Sequence, residues 1–162
     1  SFGNTPLHQA CRNGQGEVVK AMLEKGGINR NARNDEKMTP LAVAVAGDNI
    51  LIAEILLEAG ADANIRGRYG YGPLHLAAKN ENEHLVRKLL EHGAGIDERN
   101  EDGETALIIA AQEGNNYVAG ILLEAGANVT YADEQGHTAL YYATENGSND
   151  IVEKLLMAGA EE

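Results

Sequence analysis

The chain has 162 residues, 25 of them acidic and 13 basic, and a formal net charge of −12 at pH 7. This length suits one domain with a sizeable core, and the charge disfavours DNA or an anionic membrane surface as a partner. The apolar runs are far shorter than the roughly 18–20 residues that span a bilayer, and the single cysteine, Cys11, excludes an internal disulfide and a multi-cysteine metal site.

Leucines and glycines recur along the chain at a spacing of 33 or 34 residues. The first register consists of Leu7, Leu41, Leu74, Leu107 and Leu140. Sixteen residues after each of these comes a second leucine, and three residues later a glycine, which gives Gly26, Gly60, Gly93, Gly126 and Gly159. Three registers in phase over five copies predict a tandem repeat, with units at 1–36, 37–69, 70–102, 103–135 and 136–162.

The residue pattern of each repeat predicts a pair of helices. In the first unit, Thr5 is placed to cap a helix, Pro6 suits the first helical position, and Gly14 can end the helix in a left-handed conformation. A second helix is predicted by apolar residues at helical spacing, namely Val18, Val19, Met22 and Leu23. Two helices of this size cannot bury their apolar faces alone, whereas stacked neighbours can. The sequence therefore predicts an all-α solenoid.

Two positions depart from the repeat where a left-handed residue is expected. Lys37 occupies the place of the turn glycine found at Gly70 and Gly103, so a rearranged turn is expected between the first and second units. Asn80 stands near the place of Gly14 in the third unit, and asparagine is the next residue most able to adopt the left-handed conformation.

The repeat resembles the ankyrin repeat over essentially the whole chain. The resemblance rests on the boxes TPLH from Thr5, TPLA from Thr39, GPLH from Gly72, TALI from Thr105 and TALY from Thr138. It rests also on the runs GADAN from Gly60, GAGID from Gly93 and GANVT from Gly126. The resemblance implies stacked helix pairs with short β-hairpin fingers between them, and a single domain over residues 1–162. It also implies that the histidines of the box, His8 and His75, bond neighbouring backbone.

In that family the finger tips and the exposed side of the first helices form a concave surface that binds a partner protein. Matching this pattern position by position gives the candidate site residues Arg68, Tyr69, Tyr71, Lys79, Glu101, Asp102, Glu104, Glu113, Glu134 and His137. The middle of this surface is aromatic and basic, while residues 103–162 contain ten acidic residues and one lysine. We therefore expect a monomer that binds another protein with a basic segment, in the cytoplasm and not at a membrane or on DNA.

Catalytic, metal and cofactor chemistry find no support in the sequence. The glycines Gly67, Gly70 and Gly72 have the order G-x-x-G-x-G, whereas a dinucleotide site needs G-x-G-x-x-G between a strand and a helix. No two histidines have the spacing of a helical zinc site, and Cys11 falls at a packed helical position. We expect no enzyme activity, no cofactor and no bound metal.

Four alternatives to a protein-binding module remain open. The chain could be an inhibitor or immunity subunit that covers a partner enzyme's active site, or an engineered binding scaffold, although the uneven repeats oppose the second idea. An enzyme is opposed by the absence of a catalytic constellation. Recognition of a nucleotide or small RNA between fingers is supported by Arg66, Arg68, Tyr69 and Tyr71 alone.

Overall fold

A computed structural model describes residues 2–161 of the chain; residues 1 and 162, the outer limits of the first and fifth predicted units, lie outside this range. The described part contains ten α-helices in five pairs: α1 (Pro6–Arg12) with α2 (Gly16–Lys25), α3 (Pro40–Ala46) with α4 (Ile50–Glu58), α5 (Pro73–Lys79) with α6 (Glu83–Glu91), α7 (Ala106–Gln112) with α8 (Asn116–Glu124), and α9 (Ala139–Glu145) with α10 (Asn149–Met157). A 3₁₀ turn, Arg68–Gly70, precedes α5. The predicted all-α fold is confirmed.

Side-chain caps fix where the odd-numbered helices begin. The hydroxyl oxygens of Thr5, Thr39, Thr105 and Thr138 accept the main-chain N–H three residues on, at 3.1 to 3.3 Å. Helix α5 has Gly72 at this position, and there the side chain of His75 accepts the Gly72 N–H through Nδ1 at 3.0 Å. These bonds satisfy N–H groups that the first turn of a helix leaves without a partner.

The helices stack in two rows. The odd-numbered helices pack successively against one another from α1 to α9, and the even-numbered helices form a second row from α2 to α10. The leucines of the first register lie between the rows and are nearly inaccessible to solvent. Each pair thus buries its apolar face against its neighbours, as a solenoid requires. Among the helices of residues 2–161, none is long and apolar enough to cross a membrane.

The fingers between successive pairs are hairpins reduced to their turns. We call residues 34–38, 67–71, 100–104 and 133–137 the second, third, fourth and fifth fingers. In each, the main-chain N–H of the first residue donates to the carbonyl of the last, at 2.8 to 3.0 Å. Within the described residues the β-ladder is limited to one isolated bridge, Ala132 with Thr138.

The expected rearrangement at Lys37 is wrong. Lys37 itself adopts the left-handed conformation, with φ of 60°, and its N–H donates to the Asn34 carbonyl at 2.9 Å. Gly103 makes the same bond to Asn100 at 3.1 Å, so the two turns are alike. A lysine is held there because the surrounding turn bonds are retained.

The expectation for Asn80 also needs correction. Asn80 has a φ of −80°, and the next residue, Glu81, takes the left-handed conformation with φ of 60°. The side chain of Asn80 instead donates through Nδ2 to the carbonyls of Val45 and Ala46, at 3.3 and 3.2 Å. The asparagine is used to satisfy the open end of the preceding odd-numbered helix.

Because each unit of a solenoid contacts only its neighbours, the effect of a core cavity on unfolding should depend on which unit contains the cavity. Leu89 in the central unit and Leu155 in the last unit occupy the same register, and both are fully buried. We expect Leu89→Ala to cost roughly 2–5 kcal/mol and to divide unfolding into two steps, because it separates the two ends of the stack. Leu155→Ala should fray only the last unit.

Urea unfolding followed by circular dichroism, with hydrogen exchange to locate the unfolded units, measures this difference. Two variants that each unfold in a single step, with equal losses of stability, would show that the stack behaves as one cooperative unit.

Candidate partner-binding surface

Four of the predicted site residues come together in one cleft beside the third finger, on the surface that the ankyrin resemblance predicts to be concave. Arg68, Tyr69, Tyr71 and Lys79 line this cleft, and its apolar wall is formed by Met38, Ala42 and Leu76. Its volume is about 240 Å³. The third finger and helix α5 thus bring the basic and aromatic candidates together in one cleft, and their role in binding stays a prediction.

The third finger lacks a side-chain brace that the other described fingers have. In those fingers the first residue is Asn34, Asn100 or Asp133, and its side-chain oxygen accepts two main-chain N–H groups of the turn, at 2.9 and 3.0 Å. Such bonds are the usual way in which asparagine and aspartate stabilise a turn. Gly67 occupies this position in the third finger and offers no acceptor.

Without the brace, the tip of the third finger takes a different course. Residues Arg68–Gly70 form the 3₁₀ turn, and Tyr69 lies in the left-handed region with φ of 56°. Its side chain is 59% exposed, and the guanidinium carbon of Arg68 lies 5.3 Å from its ring centroid. A left-handed conformation costs a residue with a Cβ about 1 kcal/mol or more. The chain therefore holds a large aromatic group at the tip at some expense of stability.

Tyr71 has a different environment from Tyr69, although both belong to the same finger. Its ring is half-buried, its hydroxyl donates to Glu104 Oε2 at 3.5 Å, and Lys79 Nζ lies 5.7 Å from its ring centroid. Burial raises the pKa of Tyr71, and the negative charges of Glu104 and Asp102 raise it further. Tyr71 is thus a fixed wall of the cleft, whereas Tyr69 is exposed.

The acidic candidates fall into two groups. Glu104 is half-buried and accepts hydrogen bonds from Asn100 Nδ2 and Gln112 Nε2, both at 2.7 Å, besides that of Tyr71. Its carboxylate therefore links the fourth finger to α7. The other candidates, Glu101, Asp102, Glu113 and Glu134, are exposed. These four are better placed than Glu104 to act on a partner through their charge.

His137 belongs to an aromatic cluster on the fifth finger. Its ring stacks on Tyr141, with centroids 3.9 Å apart, and meets the ring of Tyr142 edge-on at 5.6 Å. The hydroxyl of Tyr142 donates to Asp133 Oδ2 at 2.5 Å. Burial alone would raise the pKa of Asp133, but the bonds from Tyr142 and from the main chain of His137 and Gln135 outweigh it, so the pKa is lowered.

An arginine ladder that we did not predict from the sequence joins the fingers. Arg33, Arg66 and Arg99 recur at the repeat spacing, and each donates to a carbonyl of the following unit: Arg33 to Arg66, Arg66 to Arg99, and Arg99 to Ala132, at 2.8 to 2.9 Å. The period of 33 residues was the signal that would have identified it. These guanidinium groups are engaged in holding successive fingers together.

The buried histidines and the cysteine have structural roles. His75 Nε2 donates to the carbonyls of Glu98 and Glu104, at 2.9 and 3.1 Å, because its Nδ1 accepts the Gly72 N–H. Burial lowers the pKa of His75, which favours this neutral form. Burial also raises the pKa of the Cys11 thiol to about 12, so the reactive thiolate is disfavoured. Among residues 2–161, no group of three or more histidine, cysteine or acidic side chains is arranged to hold a metal ion.

Comparisons with known proteins agree with this architecture. A family model described as ankyrin repeats in three copies matches residues 1–67 and 69–162. The human transient receptor potential cation channel subfamily A member 1 is 46% identical over 56 residues, which are 35% of this chain and 5% of that protein. Alpha-latrocrustotoxin-Lt1a of Latrodectus tredecimguttatus is 38% identical over 55 residues, which are 34% of this chain and 4% of the toxin. The likeness therefore covers a small part of each of these relatives.

Adding the brace to the third finger and removing it from the fourth should have opposite effects on the free energy of unfolding. Gly67→Asn should raise the free energy of unfolding by about 1 kcal/mol, because it adds turn bonds and lowers the entropy of the unfolded chain. A Cβ at Gly67 fits, since its nearest non-neighbouring atom, the carbonyl oxygen of Lys37, would lie 3.5 Å away. Asn100→Gly should lower the same quantity by roughly 1–3 kcal/mol.

Chemical denaturation of both variants and of the parent chain measures these two changes in the free energy of unfolding. If Gly67→Asn destabilised the protein as much as Asn100→Gly, the brace would not explain the shape of the third finger.

The lowered pKa of Asp133 predicts that its contribution to stability is lost in acid. Its bonds stabilise the folded chain above the ordinary pKa of 3.8, and this contribution is lost as the pH falls through the lower folded value. Asp133→Asn keeps a turn acceptor, as Asn34 and Asn100 show, but cannot titrate. Urea unfolding from about pH 5 to about pH 2 should show a shallower loss of stability in this variant. Equal slopes would contradict the assignment.

Proposed function

The chain belongs to the ankyrin-repeat family, whose members are generally protein–protein interaction modules and typically lack enzyme activity, and on this premise we propose that it binds another protein on its concave surface. The binding energy is centred on the third finger, where Arg68, Tyr69, Tyr71 and Lys79 share a cleft. In this proposal the chain is a monomer that meets its partner in the cytoplasm.

The conformation of Tyr69 carries the proposal. A tyrosine at a turn tip is exposed to solvent and adopts a conformation that glycine or asparagine would take at lower cost. Neither burial nor a side-chain hydrogen bond within the described residues accounts for it there. Backbone strain of this kind is concentrated at functional sites, and tyrosine and arginine are the residue types that most often dominate the energy of an interface.

The charge distribution gives the partner an orientation. The exposed carboxylates Asp102 and Glu134 lie on the fourth and fifth fingers, beyond the basic and aromatic cleft. They attract a basic segment of the partner and so set its direction along the fingers. Glu104 contributes less to this attraction, because its carboxylate accepts three hydrogen bonds within the chain.

The proposal predicts separate kinetic effects for the two parts of the surface. With a partner obtained by affinity capture from the native source, Tyr69→Ala and Arg68→Ala should each weaken binding by roughly 2 kcal/mol or more, chiefly through faster dissociation. Reversing Asp102 and Glu134 to lysine should slow association and reduce its dependence on salt. Surface plasmon resonance at several salt concentrations resolves the two rates.

The matched control reverses Glu124 and Glu153, two exposed carboxylates on the even-numbered helices, and so changes the net charge equally. Finger variants that bind normally, or a hydrogen-exchange footprint confined to the even-numbered helices, would refute the proposal. An activity assay on a captured enzyme would then distinguish an inhibitor from a module that only binds.

A further inference from the structure

The second and third fingers are less closely joined than the other neighbouring fingers. Elsewhere a main-chain bond of 2.9 to 3.1 Å links each finger to the one before it: Asp35 N–H to Phe2, Glu101 N–H to Tyr69, and Glu134 N–H to Asp102. The corresponding bond from Arg68 N–H to the Glu36 carbonyl does not form within the described residues. The junction between these two fingers therefore lacks one main-chain bond, although Arg33 still donates to the carbonyls of Lys37 and Arg66 there, and we call it the finger gap.

The finger gap follows from the altered turn of the third finger. Gly67 provides no brace, Arg68 and Tyr69 enter the 3₁₀ turn, and within the described residues the N–H of Arg68 makes no main-chain bond to the second finger. Gly67 lines two clefts, the concave cleft of about 240 Å³ and a second cleft of about 440 Å³. Both clefts thus meet at the residue that lacks the brace.

The finger gap is positively charged although the chain as a whole is strongly negative. The concave cleft is lined by Arg68 and Lys79 and by no carboxylate. The second cleft is lined by three further cations, Arg33, Lys37 and Arg66, and by one carboxylate, Glu101. Five cations against one carboxylate among the lining residues, in a protein of net charge −12, favour an anionic group at the finger gap, while Glu104 and Asp102 act on Tyr71 from the side of the fourth finger.

The two cations of the concave cleft remain available to a ligand. Arg33 and Arg66 already donate to main-chain carbonyls. Within the described residues, by contrast, neither Arg68 nor Lys79 donates a side-chain hydrogen bond or forms an ion pair. Their charged groups lie over the rings of Tyr69 and Tyr71, which position them without using their N–H donors.

The wall of the concave cleft is apolar. Met38, Tyr71 and Leu76 are half-buried and line the cleft together. A volume of about 240 Å³ is smaller than the roughly 300–1,000 Å³ of most small-molecule sites. The cleft therefore suits one large side chain of a protein better than a cofactor.

We propose that the finger gap binds an acidic side chain of the partner that stands next to a large apolar side chain in an extended segment. The carboxylate lies between Arg68 and Lys79, and the apolar side chain contacts Met38, Tyr71 and Leu76. This rests on the proposed function, because it takes the concave surface as the binding surface. It adds an acidic anchor ahead of the basic segment that the fourth and fifth fingers attract.

Selection of short random peptides displayed on phage, against the full chain, tests this anchor. Selected peptides should carry Asp or Glu beside a large apolar residue, and Lys79→Glu should weaken them at least about tenfold. Selection repeated on Lys79→Glu should replace the acidic residue by Lys or Arg. The control Lys25→Glu makes the same change of charge at the end of α2 and should leave binding unchanged.

A second variant separates loss of the gap from loss of the fold. Gly67→Asn supplies the missing brace and should close the gap, so it should lose the selected peptides while remaining at least as stable as the parent chain. Peptides that keep their affinity for Lys79→Glu and Gly67→Asn but lose it for Tyr69→Ala would overturn the acidic anchor and leave the proposed function standing. Peptides that bind all three variants equally would overturn both.

Discussion

The fold depends on one constraint: the apolar face of each helix pair is covered only by the neighbouring pairs. The odd-numbered helices are seven residues long, too short to be stable alone in water, and their leucines are nearly inaccessible to solvent within the stack. The stack therefore carries the stability in its helices and core. Threonine caps fix where the helices begin, and His75 of the box both caps α5 and donates to the carbonyls of Glu98 and Glu104.

Because the helices and the core carry the stability, the fingers can differ from one another in sequence and in turn conformation. A finger is held by main-chain bonds within its turn, by the side chain of its first residue, and by the arginine ladder, none of which belongs to the core. Replacing the asparagine by Gly67 removes two side-chain bonds locally and leaves the helices on either side unchanged in length. In a globular domain with one shared core, a comparable strained turn would be coupled to many more contacts. Here its cost is confined to one junction.

The sequence predicted the parts of the fold that repeat. Leucine spacing, threonine caps and helix-ending glycines such as Gly14 were sufficient, because each reflects a local rule that every unit obeys. Lys37 and Asn80 were misjudged because residue type alone shows which conformation is favoured, not which one the surrounding bonds impose. The arginine ladder was visible as a period, but its partners are carbonyls, which every residue has and which no sequence pattern identifies.

The candidate site was predictable in composition but not in arrangement. Tyr69 and Tyr71 are two residues apart in sequence, yet one is exposed at the tip and the other is hydrogen-bonded to Glu104 in the next unit. Their difference comes from Gly67, which is informative only when it is compared with Asn34, Asn100 and Asp133 in the other units. A repeat protein supplies this comparison internally: the second, fourth and fifth fingers share one braced turn, and the third finger shows where the chain departs from it. The departure and the left-handed tyrosine both follow from Gly67, and within the described residues Arg68 and Lys79, beside the same junction, make no side-chain hydrogen bond or ion pair; this coincidence is what supports the binding site proposed there.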